Sequence, residues 1–172
     1  MKGMVHIYCG DGKGKTTAAM GLAVRAAGNG LKVLILQFLK NGKTGELAAL
    51  EKLETVDVMR GKGGMKFTFR MNEAEKAEAL RVHMENLQKV MDLAENYDMV
   101  ILDEAIGACG CGLLDKELLC RFIDNRPENL EVVLTGRNPA QELLDRADYI
   151  SEIKKIRHPY DKGIQARGGI ER

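Results

Sequence analysis

The sequence of 172 residues lacks tryptophan and has few aromatic residues, three prolines and four cysteines. It also lacks an excess of either charge, because 26 Lys and Arg residues are matched by 25 Asp and Glu residues. This balance argues against a nucleic acid or a membrane surface as a partner, whereas small polyanions remain possible ligands. Four cysteines in a chain of this type indicate reduced thiols and not a disulfide framework.

Long hydrophobic runs are absent as well. The apolar run near the amino terminus, Met4 to Cys9, leads directly into glycines and is too short for a signal peptide or a membrane span. We therefore expect a cytoplasmic protein. The length predicts one domain, residues 1–172, with a single active site.

Short β-branched runs alternate with longer helical segments, which predicts a mostly parallel sheet with helices on both faces. The clearest predicted helices are Gly14 to Ala27 and Asn72 to Glu95. The second carries an apolar stripe that the sheet could bury: Ala77, Leu80, Met84, Leu87, Met91 and Ala94. The predicted strands are Val5 to Cys9, Lys32 to Phe38, Thr55 to Met59, Met99 to Asp103, Glu131 to Thr135 and Tyr149 to Ile153.

The segment GDGKGKTT, residues 10–17, follows the first predicted strand and opens the first predicted helix. It departs from the common phosphate-loop pattern by one residue, since Cys9 stands where the first glycine would be. Its glycines still allow backbone N–H groups to face an anion, the helix start adds positive potential, and a lysine supplies charge. The predicted nucleotide-binding residues are Gly10, Asp11, Gly12, Lys13, Gly14, Lys15, Thr16, Thr17 and, after a later strand, Arg137. This loop predicts a three-layer α/β/α fold of the P-loop NTPase (RecA-like) class.

Asp103 and Glu104 are predicted to bind a metal ion beside the loop. They end an apolar strand, and the carboxyl ends of the strands form the edge at which open α/β sheets bind ligands. Together with Thr16 these acids form a candidate Mg²⁺ site. The pair fits an ATPase whose glutamate orients water, and it fits equally an enzyme that uses both acids on the metal. The loop and the acids leave these two classes open.

The sequence resembles the ATP:corrinoid adenosyltransferase family of the phosphate-loop class, and the resemblance extends over nearly the whole chain. The matching motifs, in chain order, are Cys9 to Thr17, Gln37 to Lys40, Lys66 to Phe69, Leu102 to Glu104, Thr135 to Arg137 and His158 to Gly163. The family shares the shortened loop, which accounts for Cys9.

The resemblance implies a reaction. A Co(I) corrinoid, cob(I)alamin or a precursor, would attack C5′ of ATP, and tripolyphosphate would leave. The implied catalytic residues are Lys15, Thr16 and Glu104, and the implied corrinoid contacts are Lys40, Phe67 and Phe69, the aromatic pair displacing the lower axial cobalt ligand. A separate flavin-based reductant and a homodimer are further expectations of the family. A P-loop ATPase or kinase is the alternative, and a binding module without turnover is a third hypothesis.

Some features depart from the family or lack a role. Some members have an amino-terminal extension that covers the active site, whereas the first predicted strand here begins at Val5, so we expect the corrinoid to be enclosed differently. Gly107 to Gly112 stands where aromatic or Asn residues are common. Within it, Cys109 and Cys111 form a weak metal signal, so we expect packing or loop flexibility there. His6 and His83 are expected to be structural.

Overall fold

The computed structural model describes residues 2–39, 45–60 and 70–170, and these residues form one six-stranded sheet. All of its strand pairs are parallel, and the order across the sheet is β3-β2-β4-β5-β1-β6. The strands are β1 (Val5–Cys9), β2 (Val33–Gln37), β3 (Val56–Arg60), β4 (Met99–Asp103), β5 (Glu131–Thr135) and β6 (Tyr149–Glu152). All six predicted strands are confirmed, with shifts of a residue at some ends.

Helices cover both faces of the sheet, as expected for a three-layer α/β/α fold. They are α1 (Lys15–Gly28), α2 (Gly45–Leu50), α3 (Glu73–Leu93), α4 (Ala105–Gly110), α5 (Lys116–Asn125) and α6 (Gln141–Leu144). Short 3₁₀ turns follow at Ala94–Asn96 and Pro159–Lys162. The long helices α1 and α3 confirm the sequence prediction, whereas the four short helices were not assigned from the sequence. Within the described segments, no helix is long and apolar enough to cross a bilayer.

Two apolar clusters, one on each face, hold the layers together. Strand β2, next to the edge strand β3, is buried along its whole length, and its successive side chains alternate between the clusters, since Ile35 belongs to one and Leu36 to the other. On one face α1 and α2 pack through small and aliphatic residues such as Ala23 and Leu47. On the other, α3, α4 and α5 pack through larger ones such as Phe122.

The buried face of α3 is rotated from the predicted stripe. Of the predicted residues, Leu87 and Ala94 are buried, while Ala77 is exposed and the others are half-buried. The buried positions of α3 include Ala79, His83, Asn86, Leu87 and Val90, of which His83 and Asn86 are polar. The stripe was wrong in part because a search for apolar periodicity skips a buried histidine.

His83 has a partner that allows its burial. Its Nδ1 lies 2.9 Å from the Leu113 carbonyl oxygen, which identifies Nδ1 as the donor. The edge of its ring packs against Phe38, with ring centroids 5.2 Å apart. Burial lowers the pKa of His83, so the neutral imidazole is favoured in the fold. The prediction that His83 is structural agrees with these contacts.

Candidate active site

The phosphate loop, residues 10–16, connects β1 to α1 at the carboxyl edge of the sheet. Gly10 and Gly14 have φ of +102° and +117°, values that a residue with a Cβ adopts only with strain. Gly14 is also the N-cap of α1, so no side chain caps the first amides of this helix. Ala18 is the first amide of α1 to donate back, to the Gly14 oxygen at 2.8 Å. The amides before it lie at the positive end of the helix, where an anion is stabilised.

Lys15, the first residue of α1, is buried and reaches back over the loop. Its Nζ donates a hydrogen bond of 2.7 Å to the Gly12 carbonyl oxygen. Burial is the main factor that lowers the pKa of Lys15, and the positive charge of Arg137 lowers it further. Arg137 is exposed just after β5, and its charge is thus close enough to act on Lys15.

Asp103 is the centre of a buried hydrogen-bond network. This last residue of β4 has no exposed surface. Its Oδ1 accepts from the hydroxyl of Thr16 at 2.8 Å and from that of Thr135 at 2.7 Å, and its Oδ2 accepts from the amide of Gln37 at 3.0 Å. The network joins the ends of β2, β4 and β5 to the first turn of α1. Thr16 and Asp103, predicted to form one site, are in direct contact.

Glu104 follows at once and turns the chain from β4 into α4. It has a φ of +61°, which costs free energy for a residue with a side chain. Its N–H donates to the Thr135 hydroxyl at 2.9 Å, so Thr135 bonds both acids, one through the side chain and the other through the backbone. A Cβ at Gly107 would lie 3.3 Å from Glu104 Oε2, so the carboxylate lies over the first turn of α4.

Strained backbone is concentrated at this edge of the sheet. In the described parts of the chain, the non-glycine residues with positive φ are Leu39, Glu104 and Asn138. They follow the ends of β2, β4 and β5, respectively. Such strain persists where the surrounding structure imposes it, commonly at functional sites. The strain therefore supports the carboxyl edge as the active site.

The donors at this edge fit Mg²⁺. They are a hydroxyl and carboxylates, the hard oxygen ligands that this ion prefers, and Mg²⁺ in nucleotide sites keeps waters and binds phosphate oxygens as well. Both oxygens of Asp103 already accept hydrogen bonds from the protein, whereas Glu104 is partly exposed. Within residues 2–39, 45–60 and 70–170, no cluster of three His, Cys, Asp or Glu side chains could hold a metal alone. Thr16, Glu104 and phosphate oxygens are thus the suitable direct ligands, with Asp103 orienting Thr16.

The remaining predicted residues are distributed unevenly. Lys13 and Thr17 are exposed beside the loop. Asp11 is exposed too, but its carboxylate accepts a hydrogen bond from the backbone N–H of Lys155. The three predicted corrinoid contacts, Lys40, Phe67 and Phe69, lie outside the described residues.

Gln37 and Thr135 are the site residues to which the sequence alone gave no role. Each stands at the end of a buried strand that flanks β4, and Gln37 lies directly opposite Asp103 in the sheet register. A polar residue ending an otherwise apolar strand beside the acidic strand is a usable signal. It becomes specific only when the strand order is known.

The cysteines are free thiols. Burial raises the pKa of Cys109 to about 12 and also raises that of Cys111, so neither is held as a thiolate. Cys111 Sγ contacts the Ala108 carbonyl oxygen at 3.5 Å. Of the packing or loop flexibility expected for this pair, packing agrees with the position of Cys109, which lies against the apolar core, whereas Cys111 is exposed.

Comparison with known proteins gives one family. A family model described as ATP:corrinoid adenosyltransferase BtuR/CobO/CobP matches residues 1–172. A corrinoid adenosyltransferase of Escherichia coli (strain K12) is 33% identical over 171 residues, 99% of this chain and 86% of that protein. A corrinoid adenosyltransferase of Sinorhizobium sp is 33% identical over 176 residues, 99% of this chain and 80% of that protein.

Among solved structures, the cytoplasmic domain of EssC superposes with a TM-score of 0.53 over 96% of this chain, at 15% identity. This chain spans 35% of the EssC chain. At that identity the likeness shows the fold alone, and it agrees with a P-loop NTPase-like α/β fold.

Proposed function

The chain belongs to the ATP:corrinoid adenosyltransferase family and is an enzyme of that class, and we propose that it breaks the bond between C5′ of ATP and the triphosphate. The nucleophile is Co(I) of a corrinoid. A Co–C bond forms, the C5′–O bond breaks, and the electron pair of that bond leaves on tripolyphosphate. Cobalt is oxidised formally from Co(I) to Co(III), and no protein nucleophile is needed.

The contact between Thr16 and Asp103 is the observation that carries this proposal. It places a hydroxyl suited to Mg²⁺ beside the buried Lys15 and the open end of α1. These groups all stabilise negative charge, which grows on the triphosphate as the C5′–O bond lengthens. Groups that bind the leaving group more tightly in the transition state than in the ground state accelerate the reaction. Bound Mg²⁺ would neutralise part of the same charge.

The residues of the candidate active site have separate roles in binding the triphosphate and the metal. Lys15 and Arg137 supply positive charge, and the amides at the start of α1 donate to phosphate oxygens. Asp103 orients Thr16 by accepting its hydroxyl proton in a hydrogen bond, which leaves the hydroxyl oxygen lone pairs available to the metal. Glu104, which is partly exposed, provides a carboxylate that would ligate the metal.

The corrinoid contacts are proposed from the resemblance. Lys40, Phe67 and Phe69 would face the corrinoid, and the two phenylalanines would displace the lower axial ligand of Co(II). Loss of that ligand removes electron donation to cobalt and makes reduction to Co(I) easier. We further propose that residues 1–172 act as one catalytic domain, in a cytoplasmic homodimer, with electrons from a separate flavin-based reductant.

The test is anaerobic turnover with MgATP and chemically reduced cob(I)alamin, followed by the visible spectrum, with identification of the released phosphate species. We expect light-sensitive adenosylcobalamin and intact tripolyphosphate. Orthophosphate without a change in the cobalt spectrum would refute the proposal and favour the ATPase alternative, in which Glu104 orients water. Phe67→Ala separates the two further when turnover starts from cob(II)alamin and a separate reductant, since it should then abolish adenosylation and leave ATP affinity unchanged.

A further inference from the structure

The chain beyond β6 runs along the outer side of the phosphate loop. The pairing of β6 with β1 continues past both strands, because the Ile153 N–H donates to the Cys9 oxygen at 2.9 Å and the Gly12 N–H donates to the Ile153 oxygen at 2.7 Å. The Gly12 amide therefore points towards residue 153, contrary to the expectation that it faces a phosphate. Residues 153–155 form a backing segment for the loop.

The approach of this segment to the loop is too close for side chains. A Cβ added at Gly10 would lie 2.4 Å from the Ile153 oxygen, and one added at Gly12 would lie 2.7 Å from the same atom. Both distances are far inside van der Waals contact. The two glycines are thus required by the backing segment, independently of any phosphate.

Asp11, a residue of the loop, holds the backing segment through a hydrogen bond. Its Oδ1 accepts from the Lys155 N–H at 2.9 Å, and this bond is the main reason that the pKa of Asp11 is lowered. The side chain of Lys155 in turn pairs with Asp161 at 3.1 Å. A chain of contacts therefore runs from the loop to the turn Pro159–Lys162, which lies within the matching motif His158 to Gly163.

We infer that Asp11 is a positioning residue of the nucleotide site, which holds residues 153–155 against the phosphate loop and thereby sets the loop geometry that binds triphosphate. This role rests on the proposed function. A loop with glycines at 10, 12 and 14 loses much conformational freedom when it orders around a ligand. A contact that orders the loop beforehand removes part of that entropic cost from binding. A carboxylate suits the position because the hydrogen bond from the Lys155 N–H stabilises its negative charge.

The protein contains a matched control at the other end of the same two strands. Asp148, just before β6, accepts from the Val5 N–H at 2.8 Å through Oδ2. It is the same kind of bond, a carboxylate accepting from a backbone amide between β1 and β6. It lies at the amino edge, away from the loop.

The experiment compares Asp11→Ala, Asp11→Asn and Asp148→Ala in the full chain. Calorimetry gives the Kd for MgATP and for magnesium tripolyphosphate, and thermal unfolding gives Tm. We expect Asp11→Ala to weaken both ligands about tenfold, the effect of one lost charge-assisted hydrogen bond. Asp11→Asn keeps an acceptor oxygen and should recover most of the affinity. Asp148→Ala should lower Tm and leave both Kd values within about twofold of the wild type, since its lost bond is of the same size but remote from the loop.

Two results would overturn the role of Asp11. One is an unchanged Kd in Asp11→Ala, and the other is an equal loss in Asp148→Ala, which would trace the effect to general strand stability. A wild-type protein that binds MgATP but forms no adenosylated corrinoid would refute the proposed function alone. The Kd values of the variants would still test the positioning role of Asp11. A wild-type protein that binds neither ligand would overturn both.

Discussion

Replacing Thr135 with valine removes one hydroxyl and keeps the shape of the side chain. That hydroxyl donates to the buried Asp103 at 2.7 Å and accepts from the Glu104 N–H at 2.9 Å. Valine can do neither. The buried carboxylate keeps the donors of Thr16 and Gln37, but the Glu104 amide loses the acceptor that holds it at a φ of +61°.

The expected cost follows from these two bonds. A hydrogen bond to a buried charged group contributes about 2–3 kcal/mol, and a neutral one about 1 kcal/mol, so Thr135→Val should destabilise the fold by about 3–4 kcal/mol. In a chain of this size that corresponds to a decrease of about 10 °C in Tm. Activity should fall by at least about tenfold, because both acids lose their positioning.

The assay is urea and thermal unfolding together with kcat and KM for ATP. Thr135→Ser is the matched control, since it keeps the hydroxyl and loses only a methyl group, at about 1 kcal/mol. Its kcat should stay close to that of the wild type. A valine variant within about 1 kcal/mol of the serine variant, with equal kcat, would show that the hydroxyl does not organise Asp103 and Glu104.

Three further predictions concern other parts of the molecule. Burial lowers the pKa of His83 in the folded state, so on acidification the unfolded chain binds a proton at this residue first. The contribution of neutral His83 to the free energy of unfolding is therefore complete above about pH 6.5. It is lost as the pH falls from there through the lowered pKa of the folded state, by at most about 1.4 kcal/mol per pH unit. Unfolding of His83→Gln in parallel should show a weaker decline, and an identical decline would refute this assignment. Asn72→Ala removes the capping box that Asn72 and Glu75 form at the start of α3 and should cost about 1 kcal/mol in urea unfolding; Asn72→Asp should cost much less, and equal losses would contradict the capping role. Chelation of Mg²⁺ should weaken ATP binding in the wild type, and Glu104→Gln should weaken MgATP binding much more than metal-free ATP binding; an equal effect on both would remove Glu104 from the metal site.

Local sequence patterns predicted the strands and the two long helices well. Runs such as Val33–Gln37 and Met99–Asp103 are apolar up to their last residue, as expected for strands covered on both faces. The rotation of α3 was beyond such patterns, because the burial of His83 depends on a carbonyl supplied by Leu113, 30 positions away. Asn72 and Glu75, in contrast, are a capping signal that the sequence did contain.

The active site, too, could be predicted from the sequence only in part. The residue types of the phosphate loop and of Asp103 and Glu104 are legible in the sequence, since phosphate and Mg²⁺ require specific donors at specific spacings. The contact of Thr16 with Asp103 follows from the rule that parallel strands present their carboxyl ends at one edge. The aromatic pair Phe67 and Phe69 remains a prediction.

The sequence by itself determined the family of this protein, through the order of its motifs, and the residue types of its candidate site, a glycine-rich loop with a lysine and two acids at the end of a strand. Those features are local, so spacing along the chain is enough to specify them. Only the tertiary structure decided which neighbours hold these groups in place. Thr135 meets Asp103 across 32 positions and Asp11 meets Lys155 across 144, because strand order, not sequence distance, determines which strand ends are adjacent.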